Sequence, residues 1–212
     1  MTLLTSSSGG FRTSAISSLP LLTSWPQLPG SELYGNTGES DFAVVGPNNR
    51  LDFWWNPPGT SQFNRIPISG DNSAYSAPSL VQRSNGESDV AVVGSSNSLD
   101  FWWNAAGTSV FNLIPISGNN WGYSAPIMVQ RPSGESDVAV EGPSNSLDFW
   151  WNAPGTSVFN RLTAGAGLGY SAPWMVQRSN GESDFAVVGP GGRLDFYWNP
   201  PGTSQYNRIP IA

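Results

Sequence analysis

Residues 86–104 read GESDVAVVGSSNSLDFWWN, and this stretch decides the fold because it recurs along the chain. The tetrad GESD begins at residues 38, 86, 134 and 181, so the spacing is 48, 48 and 47 residues. An apolar run, a glycine-led turn and LDFWWN or LDFYWN follow each tetrad. A near-identical period of this length is typical of repeat proteins in which each unit is one supersecondary module.

Each unit is predicted to form four short strands, which we label A to D. In the second unit they fall at about residues 78–83, 89–93, 99–104 and 110–116. Turn signals such as Asn85-Gly86 separate A, B, C and D, whereas the link from D to the next A is longer. The pattern therefore predicts an antiparallel meander in every unit.

The predicted fold class is an all-β propeller with four-stranded antiparallel blades and a 47–48-residue repeat. A propeller blade takes about 40–50 residues, whereas a β-trefoil would have three repeats instead of four. We expect one propeller domain over residues 13–212, with full repeats at about 28–70, 76–118, 124–165 and 171–212. Residues 13–27 read as an extra divergent strand, and the Ser/Thr/Gly-rich residues 1–12 as a flexible tail.

Composition excludes several chemistries. The 212 residues include no Cys and no His, and all nine basic residues are Arg. The chain therefore cannot form a Ser-His-Asp triad, a thiolate or histidine zinc site, a disulfide or a Schiff-base lysine. A net charge of -6 argues against nucleic acid and anionic membrane surfaces as partners. We expect no cofactor, no metal and no membrane insertion. The opening residues show no clear signal peptide, so the location stays open, and secretion or a cell-surface location is compatible with the sequence.

The B–C hairpin supplies the first set of candidate site residues. An even-numbered loop around Asn48-Asn49 would pair Val45 with Asp52 and Ala43 with Trp54. One face is then wholly apolar, and its tryptophans are expected to pack between blades: Trp55, Trp103, Trp151 and Trp198. The other face places an aromatic ring beside an amide, a combination that can stack on a sugar and hydrogen-bond to it. These candidates are Trp54 with Asn56, Trp102 with Asn104, Trp150 with Asn152, and Tyr197 with Asn199. The alternative is that these rings only fill the seam between blades.

The D–A links carry a second set of aromatic candidates, Tyr75, Trp121, Tyr123 and Tyr170. In a four-stranded meander these links emerge on the same surface as the B–C turns. Aromatic side chains beside Asn-rich turns are typical of a carbohydrate site on loops. Rings that plug the seams between adjacent blades are an equally good interpretation.

The repeated aspartates raise the possibility of an enzyme. Asp41 and Asp52 are predicted to share a face but to lie on the order of 13 Å apart. Glycosidase carboxylate pairs lie about 5–9.5 Å apart, so this pair does not fit, while a pair from neighbouring blades stays open. GESD brings two carboxylates together, but the unit lacks the dense oxygen-ligand loop of a calcium site. A structural role in every unit is the favoured interpretation.

The order SAP-x-x-V, S-D-V-A-V-V-G and N-x-L-D-F-x-W resembles the blades of bacterial propeller lectins of the Photorhabdus (PLL-like) type. The resemblance covers residues 38–212 well and 13–37 poorly. It implies a propeller that binds fucosylated or methylated sugars between blades, with Trp54, Trp102, Trp150 and Tyr197 as platforms. Those lectins have seven blades, whereas this chain has four full units and lacks the histidines that often lie beside their aromatic residues.

The sequence therefore favours a non-catalytic, multivalent carbohydrate-binding protein with glycans as partners. The alternative is a structural or self-assembling propeller that contacts other proteins or identical copies, and a homo-oligomer fits either hypothesis. A glycoside hydrolase is the third and least favoured hypothesis.

Overall fold

Every repeat unit forms one four-stranded antiparallel sheet in the computed structural model, which describes residues 31–34, 40–83, 85–131, 133–153, 155–167, 170–180, 182–200, 203 and 205–211. Sheet 1 contains β1 (Ser31–Tyr34), β2 (Ser40–Val45), β3 (Leu51–Trp55) and β4 (Asn64–Pro67). Sheet 2 contains β5 (Ser79–Gln82), β6 (Ser88–Val93), β7 (Leu99–Asn104) and β8 (Phe111–Pro115). Sheet 3 contains β9 (Ile127–Gln130), β10 (Ser136–Gly142), β11 (Ser146–Asn152) and β12 (Phe159–Gly165). Sheet 4 contains β13 (Trp174–Gln177), β14 (Ser183–Val188), β15 (Leu194–Trp198) and β16 (Asn207–Pro210).

The predicted all-β class and the A-B-C-D meander are confirmed, because the strands of each sheet pair in chain order. Strands A of successive sheets also contact one another, β1 with β5, β5 with β9 and β9 with β13. The four sheets therefore follow one another side by side in a propeller-like arrangement. The predicted tail at 1–12 and extra strand at 13–27 lie outside the described residues.

The predicted register of the B–C hairpin is wrong by one residue. Val45 pairs with Leu51 and Ala43 with Phe53, so the loop between the strands has five residues instead of an even number. Its 3-10 turn contains two successive residues in the left-handed region, Asn48 at φ 58° and Asn49 at φ 54°. A one-residue slip moves a strand's side chains to the opposite face, and here it exchanges the faces of strand B relative to strand C.

Each sheet has two faces, which we call front and rear. In sheet 1 the front face presents Phe42, Val44, Asp52 and Trp54, and the rear face Ala43, Val45, Leu51, Phe53 and Trp55. The front face of each later sheet packs on the rear face of the sheet before it. Between sheets 2 and 3, for example, Leu99 and Phe101 lie in one cluster with Val138 and Val140. The hydrophobic core is therefore divided among the junctions between sheets.

Candidate functional site

The four aromatic residues of the predicted platform series lie on the front faces. Trp54 and Trp102 are half-buried, whereas Trp150 and Tyr197 are buried in the junctions to sheets 2 and 3. The indole nitrogens of Trp102 and Trp150 are buried without a hydrogen-bond partner in the described part of the chain. The packing of Trp102, Trp150 and Tyr197 in the junctions between sheets matches the seam-filling alternative.

The four asparagines of the predicted series have a structural role. Asn104 Oδ1 accepts the Ser88 amide at 2.7 Å, while its Nδ2 donates to the Thr108 carbonyl at 2.9 Å. The same pair of bonds joins the start of strand B to the C–D turn at Asn56, Asn152 and Asn199. Because both ends of each amide are engaged by the backbone, the asparagines are poorly suited to serve as sugar contacts.

The D–A links lie beside the B–C turns, as predicted, since the amides of Trp121 and Gly122 both donate to the Asn97 carbonyl. Trp121 packs edge-on against Trp150 with ring centroids 6.0 Å apart, and the Arg161 guanidinium lies 4.1 Å from the centre of the Trp121 ring. Tyr170 packs in the same way on Tyr197, and the two hydroxyls are hydrogen-bonded. Trp121 therefore fills part of the junction between sheets 2 and 3, and Tyr170 part of the junction between sheets 3 and 4.

Tyr75 and Tyr123 are different, because about half of each side chain is exposed. They line a groove of about 370 Å³ between the links that lead into sheets 2 and 3. Asn97 on the B–C turn of sheet 2 also lines this groove, together with Val93 and the links' serines and alanines. The structure thus brings two of the predicted link aromatics to one accessible groove. We call it the tyrosine groove.

A second groove, of about 280 Å³, lies at the other end of the junction between sheets 2 and 3. Half-buried Trp103 lines it together with Arg83 and Glu87, whose side chains form an ion pair at 3.5 Å. Sheet 3 contributes Thr156 and Ser157 to the other side. We call it the tryptophan groove. The sequence does not predict this groove, because a tryptophan on the apolar face of the hairpin, such as Trp103, is expected to pack between blades. A signal is present all the same, since the Arg-x-x-x-Glu spacing beside a tryptophan recurs in the third and fourth units.

The carboxylates that suggested catalysis lie on opposite faces, since Asp41 is paired with Trp55 and Asp52 with Val44. The prediction that they share a face is therefore wrong. Asp52 is fully buried and forms ion pairs with Arg50 at 3.1 Å and Arg65 at 3.0 Å.

A second buried carboxylate lies on the rear face of sheet 2. Burial raises the pKa of Asp89 to about 6, although the Arg83 guanidinium, at 2.8 Å, opposes the shift. The Ser136 hydroxyl of sheet 3 also donates to Asp89, at 3.2 Å. These contacts are structural links between strands and sheets. Among the described residues, no group of three acidic side chains could hold a metal ion.

Two comparisons with known proteins find nothing, since no family model and no curated protein matches the chain. A search of solved structures does find matches. The BP39L lectin from Burkholderia pseudomallei matches with a TM-score of 0.74 at 20% identity, over 87% of this chain and 56% of that one. A protein of unknown function from Dyadobacter fermentans matches at 0.62 and 10% identity, over 85% of this chain and 68% of that one.

A mutant of AofleA from Arthrobotrys oligospora, with three arginines changed to alanine, matches at 0.63 and 12% identity, over 85% of this chain and 56% of that one. The chain thus spans a little over half the length of the BP39L lectin.

In the described part of the chain there is no helix long and apolar enough to cross a membrane. The comparisons show that this chain, with its four antiparallel four-stranded sheets, is similar in fold to the BP39L lectin.

Proposed function

We propose that this protein is a non-catalytic, multivalent carbohydrate-binding protein whose sites are the grooves between adjacent sheets. The observation that carries the proposal is the tyrosine groove, where the exposed rings of Tyr75 and Tyr123 flank one cavity. Its volume of about 370 Å³ lies within the range of small-molecule sites. Aromatic rings offer an apolar platform for the C–H face of a sugar, and their hydroxyls and the Asn97 amide can hydrogen-bond to it.

Multivalency is supported by the repetition of the tryptophan groove's side chains. Trp103, Arg83 and Glu87 recur as Trp151, Arg131 and Glu135, with the ion pair between the last two at 3.3 Å. A guanidinium and a carboxylate beside an indole provide donors, acceptors and a stacking surface together. Weak binding at several such sites would add up to strong binding on a glycan-covered surface.

We take the four sheets to be successive blades of a β-propeller with a 47–48-residue repeat, because the front-to-rear packing is repeated at three junctions. The similarity to the BP39L lectin supports glycans as partners. Fucosylated and methylated sugars are the first to test, since the sequence resembles lectins that bind them.

A glycan array with the labelled chain, repeated with competing free sugar, tests the function. We expect a selective signal that free sugar abolishes. Tyr123→Ala should then weaken binding about tenfold or more, equivalent to roughly 1.4 kcal/mol. Val110→Ala, a change at an exposed side chain outside the groove, should leave binding unchanged.

Trp103→Ala separates the two grooves. A loss of binding with Trp103→Ala but not with Tyr123→Ala would move the site to the tryptophan groove and contradict the assignment to the tyrosines. A blank array with folded wild-type protein would overturn the carbohydrate proposal itself.

A further inference from the structure

The rear face of sheet 4 concentrates exposed apolar surface. Eleven large hydrophobic side chains are exposed in the described part of the chain, and six of them lie on this face. They are Trp174, Val176, Val188, Leu194, Ile209 and Ile211. Soluble proteins rarely expose a contiguous apolar patch of this kind unless it binds something.

The equivalent residues of sheet 2 show what covers such a face. Val93, Leu99 and Ile116 are 4%, 0% and 7% exposed. The front face of sheet 3 lies against Leu99 and Ile116, and Gly122 of the link into sheet 3 lies against Val93. Their counterparts Val188, Leu194 and Ile211 are 44%, 38% and 56% exposed. The amino acids are the same in the two sets, so the element that sheet 4 lacks among the described residues is a neighbouring front face.

The chain itself presents such a front face on sheet 1. Phe42 and Val44 are half-buried there, whereas their counterparts in sheet 2, Val90 and Val92, are fully buried against sheet 1. The two ends of the array are therefore the two halves of an interface that already forms three times within the chain.

A polar contact of the internal junctions also has both of its halves at the ends. The Ser183 hydroxyl of sheet 4 donates to Asp137 of sheet 3 at 2.7 Å, and Ser136 donates to Asp89 in the same way at 3.2 Å. Asp184 has the corresponding position on the rear face of sheet 4, where it is paired with Arg178 at 2.6 Å and receives no serine hydroxyl from the described residues. Ser40 has the corresponding donor position on the front face of sheet 1.

We infer that the rear face of sheet 4 binds the front face of sheet 1 of a second copy of this chain. The contact is heterologous, because two different surfaces meet, so repetition of it closes a ring or extends an array. Trp174 is the expected anchor, since it is 67% exposed in the single chain and tryptophan is enriched among the few residues that carry most of the binding energy of an interface. The new junction would add a further groove of the Trp198, Arg178 and Glu182 type.

Sedimentation velocity of the full chain over a wide concentration range tests the assembly. We expect the mass to rise from 22.6 kDa to at least twice that value with concentration. Trp174→Glu on the rear face and Val44→Lys on the front face should each abolish the increase. Val158→Glu changes an equally exposed side chain outside both faces and should keep it.

Mixing the two interface variants gives the sharpest test. Each retains one intact face, so an equimolar mixture should form a one-to-one dimer that goes no further, which a symmetric interface would not do. A wild-type chain that stays monomeric, or a Trp174→Glu variant that assembles like wild type, would overturn the inference. Circular dichroism shows whether each variant is folded.

Thiol labelling distinguishes a second copy from a cover within the same chain. The chain has no Cys, so Leu194→Cys introduces a single thiol on the rear face. We expect a maleimide to label it at low protein concentration and to be slowed at least tenfold at high concentration, while Val158→Cys reacts at the same rate throughout. Protection that does not depend on concentration would assign the cover to the chain's own remaining residues, and no protection would leave the face free. Either result contradicts the inference.

Discussion

The junction between sheets 2 and 3 and the rear face of sheet 4 are built from nearly the same residues, yet one is a core and the other a surface. Leu99 is fully buried and Leu194 is exposed, although both follow a turn and begin the motif LDF. The difference shows that, in this fold, a side chain is buried only when a second sheet packs against the sheet that carries it. A sheet supplies half an interface, and its neighbour decides whether that half is core.

The largest expected effect compares these two leucines directly. Leu99→Ala should lower the free energy of unfolding by about 3 kcal/mol, because it leaves a cavity in a closed junction. Leu194→Ala should cost well under 1 kcal/mol in dilute solution, since its side chain is already in contact with water. Urea unfolding of both variants at low concentration measures the difference. Equal losses would contradict the view that sheet 4 ends in an open half-interface.

The second effect is pH dependence at a closed junction. The folded pKa of Asp89 is raised by burial from 3.8 to about 6. Its contribution to stability is therefore present below pH 3.8 and is lost as the pH rises through about 6. We expect this carboxyl to lower the free energy of unfolding by on the order of 2 kcal/mol between about pH 4 and about pH 7.5.

Asp89→Asn should flatten the pH dependence of urea unfolding over that range. Asp71→Asn, a change at an exposed carboxylate, is the matched control and should preserve the wild-type profile. A profile that is the same for wild type and Asp89→Asn would show that Asp89 does not carry the effect.

The third effect concerns the serine that joins two sheets. Ser183→Ala should cost about 1–2 kcal/mol, because it removes a donor from buried Asp137. The corresponding Ser40→Ala on the front face of sheet 1 should be nearly neutral while the chain is monomeric. Thermal unfolding of both variants at low concentration checks this, and a large loss at Ser40 would mean that its hydroxyl already has a buried partner.

The smallest effect comes from a difference within the front faces. Arg65, Arg161 and Arg208 pair with the buried aspartates of their sheets, whereas Leu113 has this position in sheet 2. Burial raises the pKa of Asp100, and among the described residues the Ser98 hydroxyl is the group that opposes the shift.

Leu113→Arg should therefore stabilise the fold by up to about 1 kcal/mol at neutral pH, a normal value for a partly exposed pair. Leu113→Gln is the control without charge, and urea unfolding is the measurement. Equal stability of the two variants would show that Asp100 gains nothing from a cation.

The sequence alone predicted a large part of the molecule. Strong repetition, alternating apolar residues and turn signals placed the strands of the second unit within one or two residues and gave their order. The all-β class followed from the same local pattern, because strand pairing over short turns depends on neighbouring residues. The absence of Cys and His excluded whole classes of chemistry without any structure.

Only the tertiary structure decided the register and the accessible rings. Two successive residues in the left-handed region, Asn48 and Asn49, make the B–C loop five residues long. An asparagine pair in the sequence does not by itself predict that loop length. Tyr123 and Tyr170 stand in the same YSAP motif, but Tyr123 is exposed and Tyr170 lies buried against Tyr197. The physical reason differs for the two outcomes. The register depends on the backbone conformation of the turn, whereas the exposure of a tyrosine depends on the contact between two sheets, and the sequence of one repeat describes only one side of that contact.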